Sequence, residues 1–195
     1  MPVTQNAAEE PRSCSVPAGR TGIIHICNLE YALVQIGGNQ FNIPVIGITG
    51  SCGKTTTKEL IKSVLSQSFN VVATKDNFNN HIGVPLSLLD IDEKTDIAVI
   101  EMGASAPGEI DFLVRLVNPT CGIITNVENA HIEGFGSFDA VKKTKGELYD
   151  YLRQKGLSAF VNNDNPVLQS MVHSRAGLCT VKYGLDAYGG QIVPP

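Results

Sequence analysis

One stretch of the sequence has the residue types that bind nucleotide phosphates. It reads Thr-Gly-Ser-Cys-Gly-Lys-Thr from Thr49 to Thr55, between an apolar segment and an amphipathic one. Its glycines let backbone amides turn towards an anion, and the start of a helix adds partial positive charge. In such loops the lysine, here Lys54, contacts the terminal phosphates, and the threonine holds Mg²⁺ through its hydroxyl. Ile48 stands where a glycine is usual, so the stretch predicts a variant phosphate-binding loop.

The rest of the sequence narrows the choice of nucleotide. Guanine-specific proteins usually carry an Asn-Lys-x-Asp loop, and this tetrapeptide does not occur in the sequence. Protein kinases use a different glycine pattern and a His-Arg-Asp motif, which the sequence also lacks. We therefore expect ATP to be the nucleotide.

Two further polar side chains follow predicted strands. Glu101 follows the apolar strand Ile97–Ile100, where a carboxylate is well placed to bind Mg²⁺. His131 follows the next predicted strand, Cys121–Thr125, and precedes a glycine-rich turn at 134–137. Because the carboxyl ends of parallel strands meet at one edge of a sheet, we expect both side chains near the phosphate loop, with His131 as a ligand.

Lys145 stands on the apolar side of a predicted helix. This helix runs from Phe138 to Arg153, and Lys145 falls on its apolar stripe, three residues before Leu148. A bare ammonium on a buried face is costly and has to be neutralised or paired. Two solutions stay open. One is carbamylation by CO₂, which turns the amine into an anionic oxygen donor for Mg²⁺, and the other is a salt bridge, for instance to Glu101.

Strands and helices alternate along the chain, as is typical of α/β proteins. The predicted strands are Val45–Ile48, Val71–Thr74, Ile97–Ile100, Cys121–Thr125, Leu157–Val161 and Cys179–Tyr183, and the predicted helices are Thr55–Gln67, Pro85–Leu89, Gly108–Val117, Phe138–Arg153 and Pro166–His173. The first helix has an apolar stripe formed by Leu60, Ile61, Val64 and Leu65. We expect a mostly parallel sheet flanked by helices on both faces, with ligands at the carboxyl ends of its strands.

The pattern also divides the chain into three parts. Residues 1–22 are polar and rich in proline and glycine, which predicts a tail, and residues 23–40 are interpreted as a linker. Residues 41–195 form the predicted ATP-binding domain. The sequence stops at Ile192–Pro195 just as another element begins, so we expect this domain to be incomplete at its C-terminal end.

Composition excludes several classes of protein. Of the 195 residues, 43% are apolar and 17% are charged, so a folded core is expected. The net charge of -4 argues against a general binder of nucleic acids or anionic membranes. No apolar run approaches the roughly 20 residues of a membrane-spanning helix. The five cysteines are scattered and odd in number, which favours free thiols in a reducing cytoplasm.

Taken together, these motifs resemble the central ATPase domain of the Mur ligases, the family that builds the peptidoglycan stem peptide. Their nucleotide loop is similar to the stretch from Thr49 to Thr56, including the non-glycine at position 48. The resemblance covers about residues 41–185. Within the family it is closest to the branch that adds D-alanyl-D-alanine to UDP-N-acetylmuramoyl-tripeptide. The other resembling stretches are 77–86, 101–104, 108–110, 125–127, 130–137 and 145–148.

The resemblance implies a role for each motif residue. Lys54 would contact the β- and γ-phosphates, and Thr55 and Glu101 would hold one Mg²⁺. His131 and a carbamate on Lys145 would hold a second Mg²⁺. The nucleotide-binding set would be Thr49, Gly50, Ser51, Cys52, Gly53, Lys54, Thr55, Thr56 and Asn126, and the set near the UDP-linked substrate would be Asn77, Asn79 and Asn80.

The implied reaction forms an amide bond. A carboxylate of UDP-N-acetylmuramoyl-tripeptide attacks the γ-phosphate of ATP to give an acyl phosphate. The amine of D-alanyl-D-alanine then displaces phosphate, while lysine and two cations screen the negative charges. Full ligases of the family also have an N-terminal UDP-recognition domain and a C-terminal domain that closes over ATP, and we expect both to lie outside this sequence.

Two other functions stay open at this point. One is a different ligase of the same superfamily, such as a folylpolyglutamate or cyanophycin synthetase, although the stretch at 131–137 argues against it. The other is a truncated ATP-binding module without catalytic activity. The sequence also departs from the family pattern at His81, where an acid is frequent, and at Cys52, where serine or asparagine is more usual.

Overall fold

The computed structural model describes residues 42–128 and 132–185. The predicted tail at 1–22, the predicted linker at 23–40, His131 and the end of the chain after residue 185 lie outside the described residues. Within the two described ranges the chain forms six strands and six helices.

The α/β class predicted from the sequence is confirmed, and the predicted elements lie within two residues of the observed ones. The strands are β1 (Val45–Thr49), β2 (Val71–Ala73), β3 (Ile97–Glu101), β4 (Cys121–Ile124), β5 (Ser158–Asn162) and β6 (Cys179–Tyr183). The helices are α1 (Lys54–Leu65), α2 (Gly83–Leu89), α3 (Glu109–Val117), α4 (Ile132–Phe135), α5 (Phe138–Lys155) and α6 (Pro166–His173). The sequence pattern did not predict the single-turn helix α4, which occupies the first half of the expected glycine-rich turn.

The six strands form one sheet in the order β2-β3-β1-β4-β5-β6, and every neighbouring pair is parallel. Ile48 of β1 is in register with Glu101 on one side and with Ile123 on the other. Strands β2 and β3 thus lie on one side of β1, and strands β4, β5 and β6 lie on the other side. Open α/β sheets bind ligands at the carboxyl edge where the strand order reverses in this way, and β1 marks that point here.

The two faces of the sheet are covered unequally. Helices α2, α3, α5 and α6 pack on one face and form the larger core, which includes Ile100, Ile110, Leu148 and Met171. Only α1 among the described helices packs on the other face, over a small cluster of Ile48, Ala73, Val99 and Ile123. Phe160 and Val181 continue this second face across β5 and β6, where they are 37% and 40% exposed.

Helix α1 is rotated relative to its predicted apolar stripe. Leu60 and Val64 were expected to face the core, but they are 63% and 71% exposed. The face towards the sheet carries Ile61 and Leu65, as predicted, together with Lys58. The predicted stripe was wrong for Leu60 and Val64 because it counted apolar residues only, whereas Lys58 is buried with its ammonium hydrogen-bonded to backbone carbonyl oxygens.

Candidate nucleotide site

The predicted phosphate loop joins the carboxyl end of β1 to the first turn of α1. Gly53 precedes the helix with φ of 76°, and Gly50 follows the strand with φ of 148°, both in the region that side chains disfavour. A Cβ atom at Gly50 would also collide with the hydroxyl of Thr125. The loop therefore needs glycine at position 50 for a steric reason as well as for its backbone angle.

Asn126 holds the outer part of this loop in place. Its backbone oxygen accepts a hydrogen bond from the N–H of Ser51 at 3.1 Å, and its side-chain Oδ1 accepts one from the N–H of Cys52 at 2.8 Å. The hydroxyl of Thr125 donates to the carbonyl of Cys52 at 2.6 Å. The resemblance implies that Asn126 lies near the nucleotide; in the structure Asn126 supports the loop that follows β1.

The first turn of α1 leaves amides free for an anion. The N–H of Thr57 is the first to bond along the helix, to the carbonyl of Gly53 at 2.9 Å. The N–H groups of Lys54, Thr55 and Thr56 have no backbone carbonyl partner among the residues the structure describes. Unpaired amides at the start of a helix, together with the helix dipole, form a binding site for negative charge.

Lys54 and Glu101 place opposite charges around this helix end. The Lys54 ammonium donates to the loop carbonyls of Gly50 at 3.0 Å and Ser51 at 3.3 Å. Glu101, at the end of β3, is only 1% exposed, and its Oε2 accepts a hydrogen bond from the Thr55 hydroxyl at 2.9 Å. The predicted phosphate lysine and the predicted carboxylate thus lie at the same end of α1.

Asn79 and Thr74 fix the Glu101 carboxylate. The side-chain amide of Asn79 donates to Oε1 of Glu101 at 2.7 Å, and the hydroxyl of Thr74 accepts the backbone N–H of Glu101 at 2.9 Å. Each carboxylate oxygen therefore has a donor, as a buried carboxylate requires. The resemblance implies that Asn79 lies near the UDP-linked substrate; in the structure its side chain is hydrogen-bonded to Glu101.

An open cleft of about 690 Å³ lies beside Lys54. Its walls include Asn79, Asn80, His81, Glu109 and Phe112. Asn77 is exposed and is not part of this lining. The cleft has a cationic end at Lys54 and an apolar wall at Phe112.

Asn80, which was predicted to lie near the substrate, also stabilises the start of helix α2. Its Oδ1 accepts hydrogen bonds from the N–H groups of Ile82 at 3.0 Å and Gly83 at 2.9 Å, at the start of α2. Its role towards a substrate stays a prediction.

Lys145 is buried, as the stripe on α5 predicted, and is 3% exposed. Its ammonium donates to the carbonyl of Ala104 at 3.3 Å and lies 5.8 Å from the centre of the Phe135 ring. Burial, followed by the charge of Lys54, lowers the pKa of Lys145 to about 8. The salt bridge to Glu101 that the sequence left open is not formed, and no carboxylate of the described residues lies within 4.0 Å of this amine.

Two acidic residues that received no catalytic role from the sequence fix the wall around Lys145. Glu109 accepts hydrogen bonds from the N–H groups of Ser105 at 2.6 Å and Ala106 at 3.0 Å. Burial alone would raise the pKa of Glu109, but these bonds outweigh it and lower the pKa. Glu147, on α5, reaches the N–H groups at the start of α3, and burial raises its pKa. The sequence analysis included Glu147 only as part of the stretch 145–148 that resembles the family, without a role.

In the two described ranges, no group of three or more histidine, cysteine, aspartate or glutamate side chains is placed to hold a metal ion by itself. None of the helices described is long and apolar enough to cross a membrane.

The fold and the loop define the class of protein first. A parallel α/β sheet with a glycine-rich loop between its central strand and a helix with free amides is a nucleotide-binding domain of the phosphate-loop class. The Mur ligase middle domain family matches residues 48–192, most of the chain, and the chain therefore belongs to this family.

Individual members of the family show which of its enzymes the chain is similar to. The UDP-N-acetylmuramoyl-tripeptide–D-alanyl-D-alanine ligase of Bacillus subtilis (strain 168) is 41% identical over 162 residues, which are 82% of this chain and 35% of that enzyme. The same-named enzyme of Synechocystis sp. is 43% identical over 84% of the chain and 36% of its own length. The structure of the MurF ligase from Thermotoga maritima in complex with ADP matches with a TM-score of 0.73 and 32% identity, over 90% of this chain and 40% of that one. The chain thus spans about a third of the length of the curated relatives it matches.

Proposed function

We propose that this chain provides the ATP-binding domain of a ligase that joins D-alanyl-D-alanine to UDP-N-acetylmuramoyl-tripeptide. The observation that carries the proposal is the contact between Thr55 and the buried Glu101, at the end of a helix whose first amides are free. The names of the Bacillus subtilis and Synechocystis relatives support this substrate pair over that of another ligase in the superfamily.

The start of α1 is the proposed site of the ATP phosphates. The N–H groups of Lys54, Thr55 and Thr56 offer hydrogen bonds to phosphate oxygens at the positive end of the helix dipole. The Lys54 ammonium, which lies over the loop, offsets negative charge on the terminal phosphates. The complex of the Thermotoga maritima ligase with ADP supports the choice of an adenine nucleotide.

The donor set at Glu101 fits Mg²⁺. This ion prefers oxygen ligands and is usually held by one or two carboxylates together with substrate phosphates. The hydroxyl of Thr55 and the carboxylate of Glu101, 2.9 Å apart, are such donors, and we assign these two residues to hold the ion. When bound, Mg²⁺ withdraws charge from the phosphates and favours attack at the γ-phosphorus.

The cleft beside Lys54 is the proposed place of the substrate carboxylate. A carboxylate oxygen forms a bond to the γ-phosphorus while the bond to ADP breaks, which leaves an acyl phosphate. The dipeptide amine then bonds to the acyl carbon, phosphate departs and the amine loses a proton. Lys54 reduces the repulsion between the carboxylate and ATP because it lines the cleft and also belongs to the phosphate loop.

Lys145 is proposed to carry a carbamate. With a pKa of about 8, a fraction of its amine is neutral near pH 7 and can attack CO₂. The nitrogen bonds to the carbon of CO₂, a proton leaves the nitrogen, and the product is an anionic carbamate that adds two oxygen donors beside the cleft. In this proposal the carbamate and His131, which lies outside the described residues, hold the second Mg²⁺.

Ligation is proposed to need more than this domain. The matched part is about a third of each relative, and the resemblance assigns UDP recognition and closure over ATP to two further domains. We place the reaction in the cytoplasm, in peptidoglycan synthesis. The free thiols of Cys52, Cys121 and Cys179 are consistent with a reducing compartment.

Nucleotide binding tests the proposal directly. Titration calorimetry is expected to show binding of ATP to the chain that depends on Mg²⁺. Lys54→Ala should weaken this affinity by at least about tenfold, since a charged contact to phosphate is worth about 1.5–3 kcal/mol. Lys62→Ala, on the same helix, is the matched control and should bind as the unchanged chain does. Equal affinity in Lys54→Ala would contradict the proposal.

A second measurement separates ligation from binding alone. The chain, supplied with the two further domains of a relative, is assayed for phosphate release with UDP-N-acetylmuramoyl-tripeptide and D-alanyl-D-alanine. Release that requires both substrates supports the ligase. ATP binding without release under these conditions would favour the truncated binding module.

A further inference from the structure

Lys58 is a buried cation that the phosphate site does not use. It lies on α1 one turn after Lys54, and its side chain has no exposed surface. Its ammonium donates to the carbonyl of Thr74 at 2.6 Å, reaches the carbonyl of Asp76 at 3.5 Å and pairs with Glu59 at 2.9 Å. Each of the three N–H donors of the ammonium therefore has an acceptor. Two of these acceptors are carbonyl oxygens in the segment that follows β2.

The segment that Lys58 holds is tightly bent. Asp76 has φ of 44°, a left-handed conformation that a residue other than glycine seldom adopts unless its surroundings hold it. The N–H of Phe78 bonds to the carbonyl of Lys75 at 3.0 Å, which closes a turn that contains Asp76. The segment from Lys75 to Asn80, which we term the asparagine loop, is thus anchored at its start by the ammonium of α1.

The same loop reaches the Glu101 carboxylate at its other end. The side chain of Asn79 donates to Glu101, and the carbonyl of Asn79 accepts the N–H of Gly103 at 2.6 Å. Asn80 and His81 then enter the wall of the cleft. The position of this wall therefore depends on a segment that begins at the carbonyls held by Lys58.

We propose that Lys58 is a positioning residue, which ties the asparagine loop to the phosphate-loop helix so that Asn79 meets Glu101 and Asn80 and His81 face the cleft. The part of the proposal that concerns the substrate rests on the proposed function. Replacing the ammonium leaves the buried carbonyl of Thr74 without its donor and removes the anchor beside Asp76. The loop then loosens while the amides of α1 that face the nucleotide stay in place.

The test compares Lys58→Met with Lys62→Met. Methionine keeps the length of the side chain without its donors, and the amine of Lys62 makes no side-chain hydrogen bond or ion pair with a described residue. In Lys58→Met, amide hydrogen exchange at Phe78 and Asn79 is expected to become about tenfold faster. The affinity for ATP without Mg²⁺, which the amides of α1 bind, should stay within about twofold. With the two further domains of a relative supplied, the affinity for UDP-N-acetylmuramoyl-tripeptide should fall by about tenfold.

Each result has a defined meaning. Unchanged exchange in the asparagine loop of a folded Lys58→Met chain overturns the proposal, and so does equal acceleration in Lys62→Met. Faster loop exchange with unchanged affinity for UDP-N-acetylmuramoyl-tripeptide, measured with the two further domains supplied, keeps the positioning role and overturns the substrate assignment. If Lys58→Met does not fold, Lys58→Gln is measured, and unchanged loop exchange in that variant also overturns the proposal.

Discussion

The environment of Lys145 lowers the pKa of a single side chain. Its amine lies against the ring of Phe135 and one backbone carbonyl, while Lys54 adds a repulsive charge. These surroundings disfavour the charged form, and the nearby carboxylates of Glu109 and Glu147 oppose the shift only in part. The balance keeps the pKa close to the pH at which a cell works.

The sign of this shift gives a pH-dependent prediction. Because CO₂ reacts with the neutral amine, the carbamate is expected to increase as the pH rises through about 8, well below the range of an ordinary lysine. Nuclear magnetic resonance with ¹³C-labelled bicarbonate should show one carbamate signal in the unchanged chain and in Lys143→Met. Lys145→Met should lack it. A signal that survives in Lys145→Met would assign the carbamate elsewhere.

Among the elements, the loop between β1 and α1 is fixed from outside by the segment that follows β4. Asn126 and Thr125 bind three of its backbone groups, so the loop keeps its shape through contacts with a neighbouring strand end. The amides that remain free are those of the helix itself. Rigid support of this kind keeps binding groups in place before the ligand arrives.

Two glycines of this loop provide a matched pair of variants. Gly50→Ala is expected to destabilise the chain more than Gly53→Ala, since a Cβ at position 50 meets the Thr125 hydroxyl and one at position 53 meets no atom within 4 Å. Gly53→Ala should cost only the left-handed backbone strain, about 1–2 kcal/mol. Urea denaturation of both variants measures the difference. Equal losses would show that the contact with Thr125 relaxes easily.

The helices and strands could be predicted well because their apolar patterns are strong and local. The apolar run of β3 and the stripe of α5 predicted a buried strand and a buried Lys145, and both are observed. The rotation of α1 could not be predicted, because it depends on the oxygen atoms that meet Lys58. The bond between Asn79 and Glu101 also joins residues from separate elements, so no local pattern indicates it.

On the scale of the whole molecule, the site belongs to no single part of the chain. Its groups come from the ends of β1, β2, β3 and β4, and only the parallel register brings them to one edge. The phosphate loop was readable in the sequence because its residues are consecutive. The cleft was not, because its lining residues come from two loops, helix α3 and the first residue of helix α1.

The central position of β1 has a consequence for the kinetics of folding. Val45 pairs with Ala98 and Ile46 pairs with Cys121, so both neighbours of β1 come from far along the chain, and such distant pairings form slowly. The nucleotide site is complete only after both pairings exist. Mg²⁺ and ATP should therefore slow unfolding in urea and leave the rate of refolding unchanged, since the ligand stabilises the native state but not the transition state. Stopped-flow measurements with and without nucleotide test whether the two strand pairings form before the nucleotide site. Faster refolding with nucleotide would show that the loop forms before the sheet closes.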